Sequence, residues 1–445
     1  MGRPLHPFRA TIFQMKLASR VVLRGGLELP GDKSIAHRLA LLATLAPGNS
    51  VIENFAPGDD CGRTLDVVRA LGLSVEHRGT TLSLEGKGLF TYRAPSFPLN
   101  AGNSGSTARM TCGLLAAQPF DSRLDGDESL RRRPMGRIIE PLELMGAAFE
   151  MQSEQADRLP LVIRGGRTIC GIDYDLPVAS AQVKTAILLA GLHAEGVTRV
   201  RESYPTRDHT ELALSRFGAP VRRETGAIVL QGMPRLAPIH YRIPGDISSA
   251  AFFVTAAAAL PASDLVIREV GLNPTRTGFL KVLASMGADI RIEEASDHFD
   301  SAVGEQWGTV RVKGGELRGT QVERSAIPTV IDEIPVLAVA AALAHGETVF
   351  HGVSELRLKE SDRLRAITEG ISALGAKAEI FDDLLLIQGG RPLRGARLES
   401  HGDHRMAMAW AIASLAVSED CQIVGQNSVD ISYPGFWEDL DRLVA

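Results

Sequence analysis

Hydrophobic and polar positions follow two periods along this chain, and the alternation between them recurs six times. Each copy opens on a polar or glycine-bearing stretch and runs into about a dozen residues rich in Ala and Leu. The copies are "GDKSIAHRLALLATLA" from Gly31, "GNSGSTARMTCGLLAA" from Gly102, "ASAQVKTAILLAGLHA" from Ala179, "GDISSAAFFVTAAAAL" from Gly245, "IDEIPVLAVAAALAHG" from Ile331 and "GDHRMAMAWAIASLAV" from Gly402. These starts are spaced too widely for a solenoid repeat, and the spacing suits a small α/β unit. The apolar runs carry no polar stripe, which predicts helices buried on every side with sheet outside them.

A second helix is predicted in each copy, and five of the six end on an apolar residue followed by Gly72, Gly146, Gly218, Gly287 or Gly375. Glycine there is the left-handed residue that ends a helix without a Cβ clash. Period-2 alternation follows, as in "LSVEHRGTTLSLEG", "ADIRIEE", "GTVRVKGG" and "AKAEIFDDLLLIQGG", and predicts paired strands. The sixth copy runs out at "WEDLDRLVA". Strand, helix, strand, helix and paired strands, three times over, predict two similar α/β domains. Two ordinary doubly wound domains are the competing reading. Pro30-Gly31 and Pro244-Gly245 punctuate the change of half, so the expected domains are 32–244 and 1–31 plus 245–445.

Composition narrows the partners. Hydrophobic residues make up 44% of the 445 and charged residues 23%, with a formal net charge of −5. Bulk attraction to nucleic acid or to an anionic membrane is therefore not expected, and any anion site must be a local cluster. The most apolar windows, "AAFFVTAAAALPA" and "IPVLAVAAALAHG", fall short of the ~20 residues of a bilayer span. Cys61, Cys112, Cys170 and Cys421 form no CxxC pair, against a zinc knuckle, a redox motif or a disulfide framework. A cytoplasmic setting is expected. The stretch up to Arg20 holds Arg3, Arg9, Lys16 and Arg20 and no acid, as transit peptides do, but it is short and poor in serine and reads as an extension before Met15.

Chemistry collects at the predicted helix heads, where unpaired N–H groups and the helix dipole favour anions. Lys33, Ser34 and Arg38 mark the first, Asn103 and Arg109 the second, Ser180 and Gln182 the third, Asp332 and Glu333 the fifth, and Asp403, His404 and Arg405 the sixth. Singly, such Ser, Asp and Asn residues are ordinary N-caps. Their recurrence beside charges at the mouths of buried helices calls for opposing anions. "ELRLKESDRLRA" adds Arg357, Lys359, Glu360, Asp362 and Arg363, and "DESLRRRPMGR" adds Arg131, Arg132 and Arg133, although solvated charge runs are the ordinary reading of both. "PGDKS" lacks the glycine spacing of a P-loop, and "HGDHR" has no third nearby ligand for zinc; neither metal nor organic cofactor is expected.

In order from about residue 20 to the end, "LPGDKSIAHR", "GNSGSTAR", "RRRPMGR", "ASAQVKTA", "TRDHTE", "GDISSAAF", "KESDRL" and "DHRMA" resemble the 5-enolpyruvylshikimate-3-phosphate (EPSP) synthase family, 3-phosphoshikimate 1-carboxyvinyltransferases. The resemblance implies the enolpyruvyl transferase fold, an inside-out α/β barrel of two domains with three βαβαββ units each, closing around its substrates. It implies transfer of the enolpyruvyl group of phosphoenolpyruvate to the 5-hydroxyl of shikimate 3-phosphate, with release of phosphate, in the shikimate pathway to aromatic amino acids. By the same resemblance Lys33 touches both substrates and is an acid/base group, with Asp332 as base and Glu360 a second candidate for proton delivery. Ser34, Arg38, Ser180, Ala181, Gln182, Arg207, Asp332 and Lys359 would hold shikimate 3-phosphate. Lys33, Gly105, Arg133, Gln182, Arg363 and Arg405 would hold phosphoenolpyruvate. The implied partners are small anions only, bound by a monomer.

One position departs from some relatives: Ile431 in "VDISYPGF" stands about where they carry a lysine that contacts phosphoenolpyruvate. Gly105 stands where some glyphosate-tolerant members carry alanine, which implies room for that inhibitor. The rivals are the sister family that transfers enolpyruvyl to UDP-N-acetylglucosamine, which has asparagine after the lysine and a reactive loop cysteine where this chain has Ser34 and Cys112, and a non-catalytic anion-binding scaffold. Two halves that each present cationic heads are expected to repel until anions neutralise them.

Overall fold

Six apolar helices form the interior: α1 (Lys33–Leu45), α2 (Gly105–Leu115), α3 (Ala181–Gly191), α4 (Ile247–Ala259), α5 (Ile334–Leu343) and α6 (His404–Ser414). The computed structural model describes residues 21–155, 157–294 and 304–444, so the extension expected before Met15 lies outside the described residues. Every residue of α4 except Ala259 and of α5 except Leu343 is buried, as the absence of a polar stripe predicts. Five of the six are capped by the residue ahead of them: Asp32, Ser104, Ser180, Asp246 and Asp403 accept from a backbone N–H of the first turn. The helix-head polar residues are thus structural caps whatever else they do. The exception is α5, which starts at Ile334-Pro335 after Glu333 without a side-chain cap.

Around these helices lie five four-stranded sheets and one two-stranded sheet among the described residues. In three of the four-stranded sheets the strands before and after one buried helix pair in parallel, and in all five two further strands add antiparallel pairing, as in Gln321–Val322, Glu347–His351, Lys377–Phe381 and Leu384–Gln388 around α5. The glycines that end the second helices have φ of 85° (Gly72), 106° (Gly146), 82° (Gly218), 95° (Gly287) and 94° (Gly375), the conformation the sequence pattern requires. In the sixth unit only Arg397–Glu399 and Gln422–Val424 pair, before the terminal helix Phe436–Leu443.

Two of the first strands are exchanged. Arg24–Glu28 precedes α1 in sequence but pairs in parallel with Asp264–Gly271, the strand after α4. Conversely, His240–Arg242 precedes α4 but pairs with Gly48–Glu53, the strand after α1. The chain therefore crosses between halves twice, side by side: Asp32 N–H donates to the Pro244 carbonyl and Asp246 N–H to the Pro30 carbonyl, both at 2.9 Å. A Cβ on Gly31 would lie 1.8 Å from the Asn54 carbonyl oxygen, so only glycine fits this crossing. One hydrophobic core gathers residues from Ile35 to Ile243. The other gathers Val21 to Leu29 with Ile247 to Leu443.

Candidate active site

The heads of α1, α2, α3, α5 and α6 meet in a cleft of about 580 Å³. Among the described residues its lining holds nine cations, Lys33, Arg109, Arg133, Arg137, Arg207, Arg324, Lys359, Arg363 and Arg405, against the four carboxylates of Asp60, Asp332, Glu355 and Glu360. The chain as a whole is acidic, so this is the local cationic concentration that a polyanion site requires.

The segment up to residue 244 contributes mostly cations. Lys33, the first residue of α1, is held by Asp60 at 2.8 Å, and Ser34 follows it on the rim. Arg109 of α2 donates to Gln182 of α3 at 2.6 Å, and Gln182 donates to Ser106 at 3.0 Å. These bonds span α2 and α3, which touch so closely that a Cβ on Gly113 would stand 2.2 Å from the Ala186 carbonyl oxygen. Burial, with Arg133 and Arg137 nearby, pushes Arg109 down to about 10. A Cβ on Gly105 would meet the guanidinium tips of both Arg109 and Arg133 at 3.2 Å.

The segment after residue 245 brings three acids, Asp332, Glu355 and Glu360, beside four cations, Arg324, Lys359, Arg363 and Arg405. Asp332 pairs with Arg207 across the cleft, and with Arg363 at 3.3 Å, Lys359 at 3.7 Å and Arg405 at 3.9 Å. Burial would raise its pKa, but those four cations hold it well below the usual carboxylate range. Burial acts on Glu360 in the same sense and is likewise overcome, by Arg363 at 2.6 Å and Arg133 at 3.4 Å. Arg363 is fixed by Asp403, the cap of α6, at 2.8 Å. Both halves thus bring a positive excess to the cleft, as the sequence led us to expect, but ion pairs already bridge them. Arg207–Asp332, Arg133–Glu360 and Arg137–Glu355 (2.7 Å) all pair cations of one with acids of the other.

Of the residues named from sequence, Lys33, Ser34, Gly105, Arg133, Ser180, Ala181, Gln182, Arg207, Asp332, Lys359, Glu360, Arg363 and Arg405 all line this one cleft. Arg38 does not. It lies one turn into α1, buried, with Nε bonded to Thr210 at 2.7 Å, Nη1 to the Ser34 carbonyl at 2.7 Å and Nη2 to Thr185 at 3.0 Å, so it braces the wall behind Ser34. Ile431 is also off the cleft wall, in a 3-10 turn (Gln426–Ile431) packed on the helix Asp59–Ala70. Asp60, Arg137, Glu355 and a neutral His404 also line the cleft. Burial, with Lys33 and Arg405 nearby, holds His404 far below its ordinary pKa, and neither ring nitrogen has a hydrogen-bond partner. "RRRPMGR" contains Arg137, on the first turn of the helix Gly136–Leu144, beyond the bend that holds Arg133. Asp60 carried no local signal.

The EPSP synthase structure from Acinetobacter baumannii superposes on this chain with a TM-score of 0.83 at 41% identity, covering 96% of this chain and 98% of that one. The enolpyruvyl transferase NikO from Streptomyces tendae shares the fold, with a TM-score of 0.76 at 19% identity over 96% and 95% of the two chains. Fold and cleft together define a two-domain α/β enolpyruvyl transferase. The sequence model of EPSP synthase (3-phosphoshikimate 1-carboxyvinyltransferase) matches residues 18–440. The 3-phosphoshikimate 1-carboxyvinyltransferase of Desulforudis audaxviator is 48% identical over 430 residues, 96% of this chain and 99% of that one, and that of Alkalilimnicola ehrlichii is 47% identical over 418 residues, 94% and 92%. The chain belongs to the EPSP synthase family. Neither rival reading, the UDP-N-acetylglucosamine enzyme or a scaffold, is favoured by these matches. Cys112 fits neither a loop nor a nucleophile, since burial pushes its thiol up to about 12.

Proposed function

We propose that this protein transfers the enolpyruvyl group of phosphoenolpyruvate to the 5-hydroxyl of shikimate 3-phosphate and releases inorganic phosphate. The observation that carries the reading is Asp332, a carboxylate ringed by four cations in a cleft with a positive excess. Two polyanionic substrates would compete with Asp332 and Glu360 for those cations. As phosphate and carboxylate groups occupy Lys359, Arg363 and Arg405, the Asp332 carboxylate loses stabilisation and its basicity rises toward that needed to take a hydroxyl proton.

In this mechanism the 5-oxygen attacks C2 of phosphoenolpyruvate while its proton passes to Asp332, and C3 gains a proton from Glu360 or Lys33. The product of addition is a tetrahedral ketal phosphate. Loss of a C3 proton with departure of phosphate restores the double bond. Ser180, the Ala181 backbone, Lys359 and Arg207 are assigned to the 3-phosphate, and Ser34 and Arg38 to the ring and its carboxylate. Lys33, Gly105, Arg133, Gln182, Arg363 and Arg405 are assigned to phosphoenolpyruvate, where the guanidinium fork suits both carboxylate and phosphate. Arg109 and Arg137 add cationic charge to the same cleft, in which Ile431 has no part.

The domains proposed are 32–244 and 1–31 plus 245–445, supported by the two cores and the paired crossings. A cytoplasmic monomer is proposed from the cysteine usage; among the described residues no single helix is long and apolar enough to cross a membrane. Phosphate release measured with both substrates, with each alone, and with UDP-N-acetylglucosamine in place of shikimate 3-phosphate tests the reading. Release only with the first pair is expected, and release with the nucleotide sugar instead would overturn it. The same assay with micromolar glyphosate should show inhibition through the space at Gly105, and undiminished turnover would remove that assignment.

A further inference from the structure

A buried charged cluster outside the cleft sits where the chain crosses between halves. Both crossings carry one pattern, Pro30-Gly31-Asp32-Lys33-Ser34 and Pro244-Gly245-Asp246-Ile247-Ser248. Each aspartate caps the helix it precedes, Asp32 through the Ile35 N–H at 3.0 Å and Asp246 through the Ser248 N–H at 2.9 Å. Between them lies the guanidinium of Arg276, 2% exposed. Its Nη1 is 3.1 Å from Asp32 Oδ2, and its Nη2 is 3.6 Å from Asp246 Oδ1 and 2.5 Å from Ser248 Oγ. Nη1 also lies 3.0 Å from His209 Nε2, and the other ring nitrogen of His209 bonds Glu305 at 2.6 Å.

Two short routes lead from this cation to the cleft. Through Asp32 it fixes the head of α1, whose first residue is Lys33. Through Ser248, which donates to Glu333, it reaches Arg405: Glu333 Oε1 is 3.4 Å from Arg405 Nη1, and the same Nη1 donates to the Asp332 carbonyl at 3.0 Å. Arg276 itself does not line the cleft. A buried ion pair is a poor source of net stability, since apolar residues of equal volume serve as well or better. What a planar fork supplies is a fixed angle between two acids, which the single point charge of a lysine does not reproduce.

We infer that Arg276 is a positioning residue for enolpyruvyl transfer: it clips the two crossing aspartates together and so holds Lys33 in register with Asp332 and Arg405. The inference rests on the proposed reaction, and a shift of about 1 Å between reacting groups costs on the order of 10²-fold in rate. Arg276→Lys, Ser248→Ala and the charge-balanced Arg276→Met with Asp246→Asn would be assayed by phosphate release, per folded molecule as judged by thermal unfolding and near-ultraviolet circular dichroism. Arg276→Lys should fold and keep both KM values within about threefold, yet lose at least tenfold in kcat, because charge without the fork does not restore alignment. Ser248→Ala removes one hydroxyl and should lower kcat about tenfold in a folded protein. Wild-type kcat in Arg276→Lys would reduce Arg276 to a buried countercharge and overturn the inference. If the Arg276 variants do not fold, Ser248→Ala decides, and wild-type kcat there overturns it equally. An inactive wild type would instead sink the proposed reaction and is read out separately.

Discussion

Asp332 and Glu360 are carboxylates that the protein has surrounded with more positive charge than either can neutralise. That arrangement makes them poor bases until anions share their cations, and it ties their chemistry to substrate binding. Asp332→Ala and Glu360→Ala are each expected to lower kcat by roughly 10²-fold or more, measured by phosphate release in purified, folded variants; near-normal turnover would remove the role assigned. Both residues were legible in the sequence, Glu360 beside Lys359 and Arg363 in "KESDR" and Asp332 at the head of an apolar helix, and the family resemblance gave their roles; the four cations around Asp332 come from remote segments. The partner of Lys33 was not legible. Asp60 belongs to the next helix along the chain, Asp59–Ala70, and no local pattern announces a contact that only the packing of α1 on that helix creates. Arg38 was named through the family resemblance, and no local pattern announces that three of its five N–H groups meet Thr185, Thr210 and the Ser34 carbonyl.

Among the elements, two glycines in helical segments do different work. Gly218 ends its helix at φ +82° with open space where a Cβ would stand, so Gly218→Ala should cost ~1–2 kcal/mol of backbone strain and leave kcat unchanged. Gly113 is the close approach of α2 to α3. Gly113→Ala should cost about 3 kcal/mol or more and lower kcat as well, since α2 and α3 carry Gly105, Arg109 and Gln182; urea unfolding and steady-state kinetics on both variants separate the cases. The C-cap was readable from sequence because a helix end has a local signature, whereas the helix contact depends on which of the six helices are neighbours. The same helix interior supplies a pH dependence. His37 is buried in α1 against Thr64 at 2.7 Å, and burial, with Lys33 and Arg38 nearby, lowers it to about 3. The native ring stays neutral while the unfolded one takes a proton below its ordinary 6.5. Protonation therefore favours unfolding, and this part of the stability is present above pH 6.5 and lost as pH falls from there toward 3. His37→Gln should flatten the decline in unfolding free energy between pH 7 and pH 5, and an unchanged slope would count against it.

At the scale of the molecule, the two halves are joined by a pair of crossings at one side and by ion pairs across the cleft at the other. Arg137–Glu355 is the most accessible of those pairs, each partner about a quarter exposed, and Glu355 belongs to the turn that leads into Lys359 and Glu360. Arg137→Glu and Glu355→Arg should each enlarge the radius of gyration measured by small-angle scattering and weaken compaction on addition of shikimate 3-phosphate, and the double reversal should restore both. Equal scattering from all four proteins would show that the pair does not hold the halves together. The sixfold repeat and the place of the crossings could be read from sequence, since glycine and proline punctuate them. The register of the exchanged first strands could not, because it is set by partners remote in sequence, Arg24 with Asp264 and Val51 with His240.

That exchange bears on the order in which a ribosome can build the molecule. The segment beginning at Arg24 leaves the exit tunnel long before Asp264, its partner in the ladder, has been made, and meanwhile presents an unsatisfied edge that other chains could capture. The opposite half closes its own sheet only when His240 reaches Val51. Synthesis therefore completes the half from Ile35 to Ile243 while the strand Arg24–Glu28, made before it, still waits for its partner.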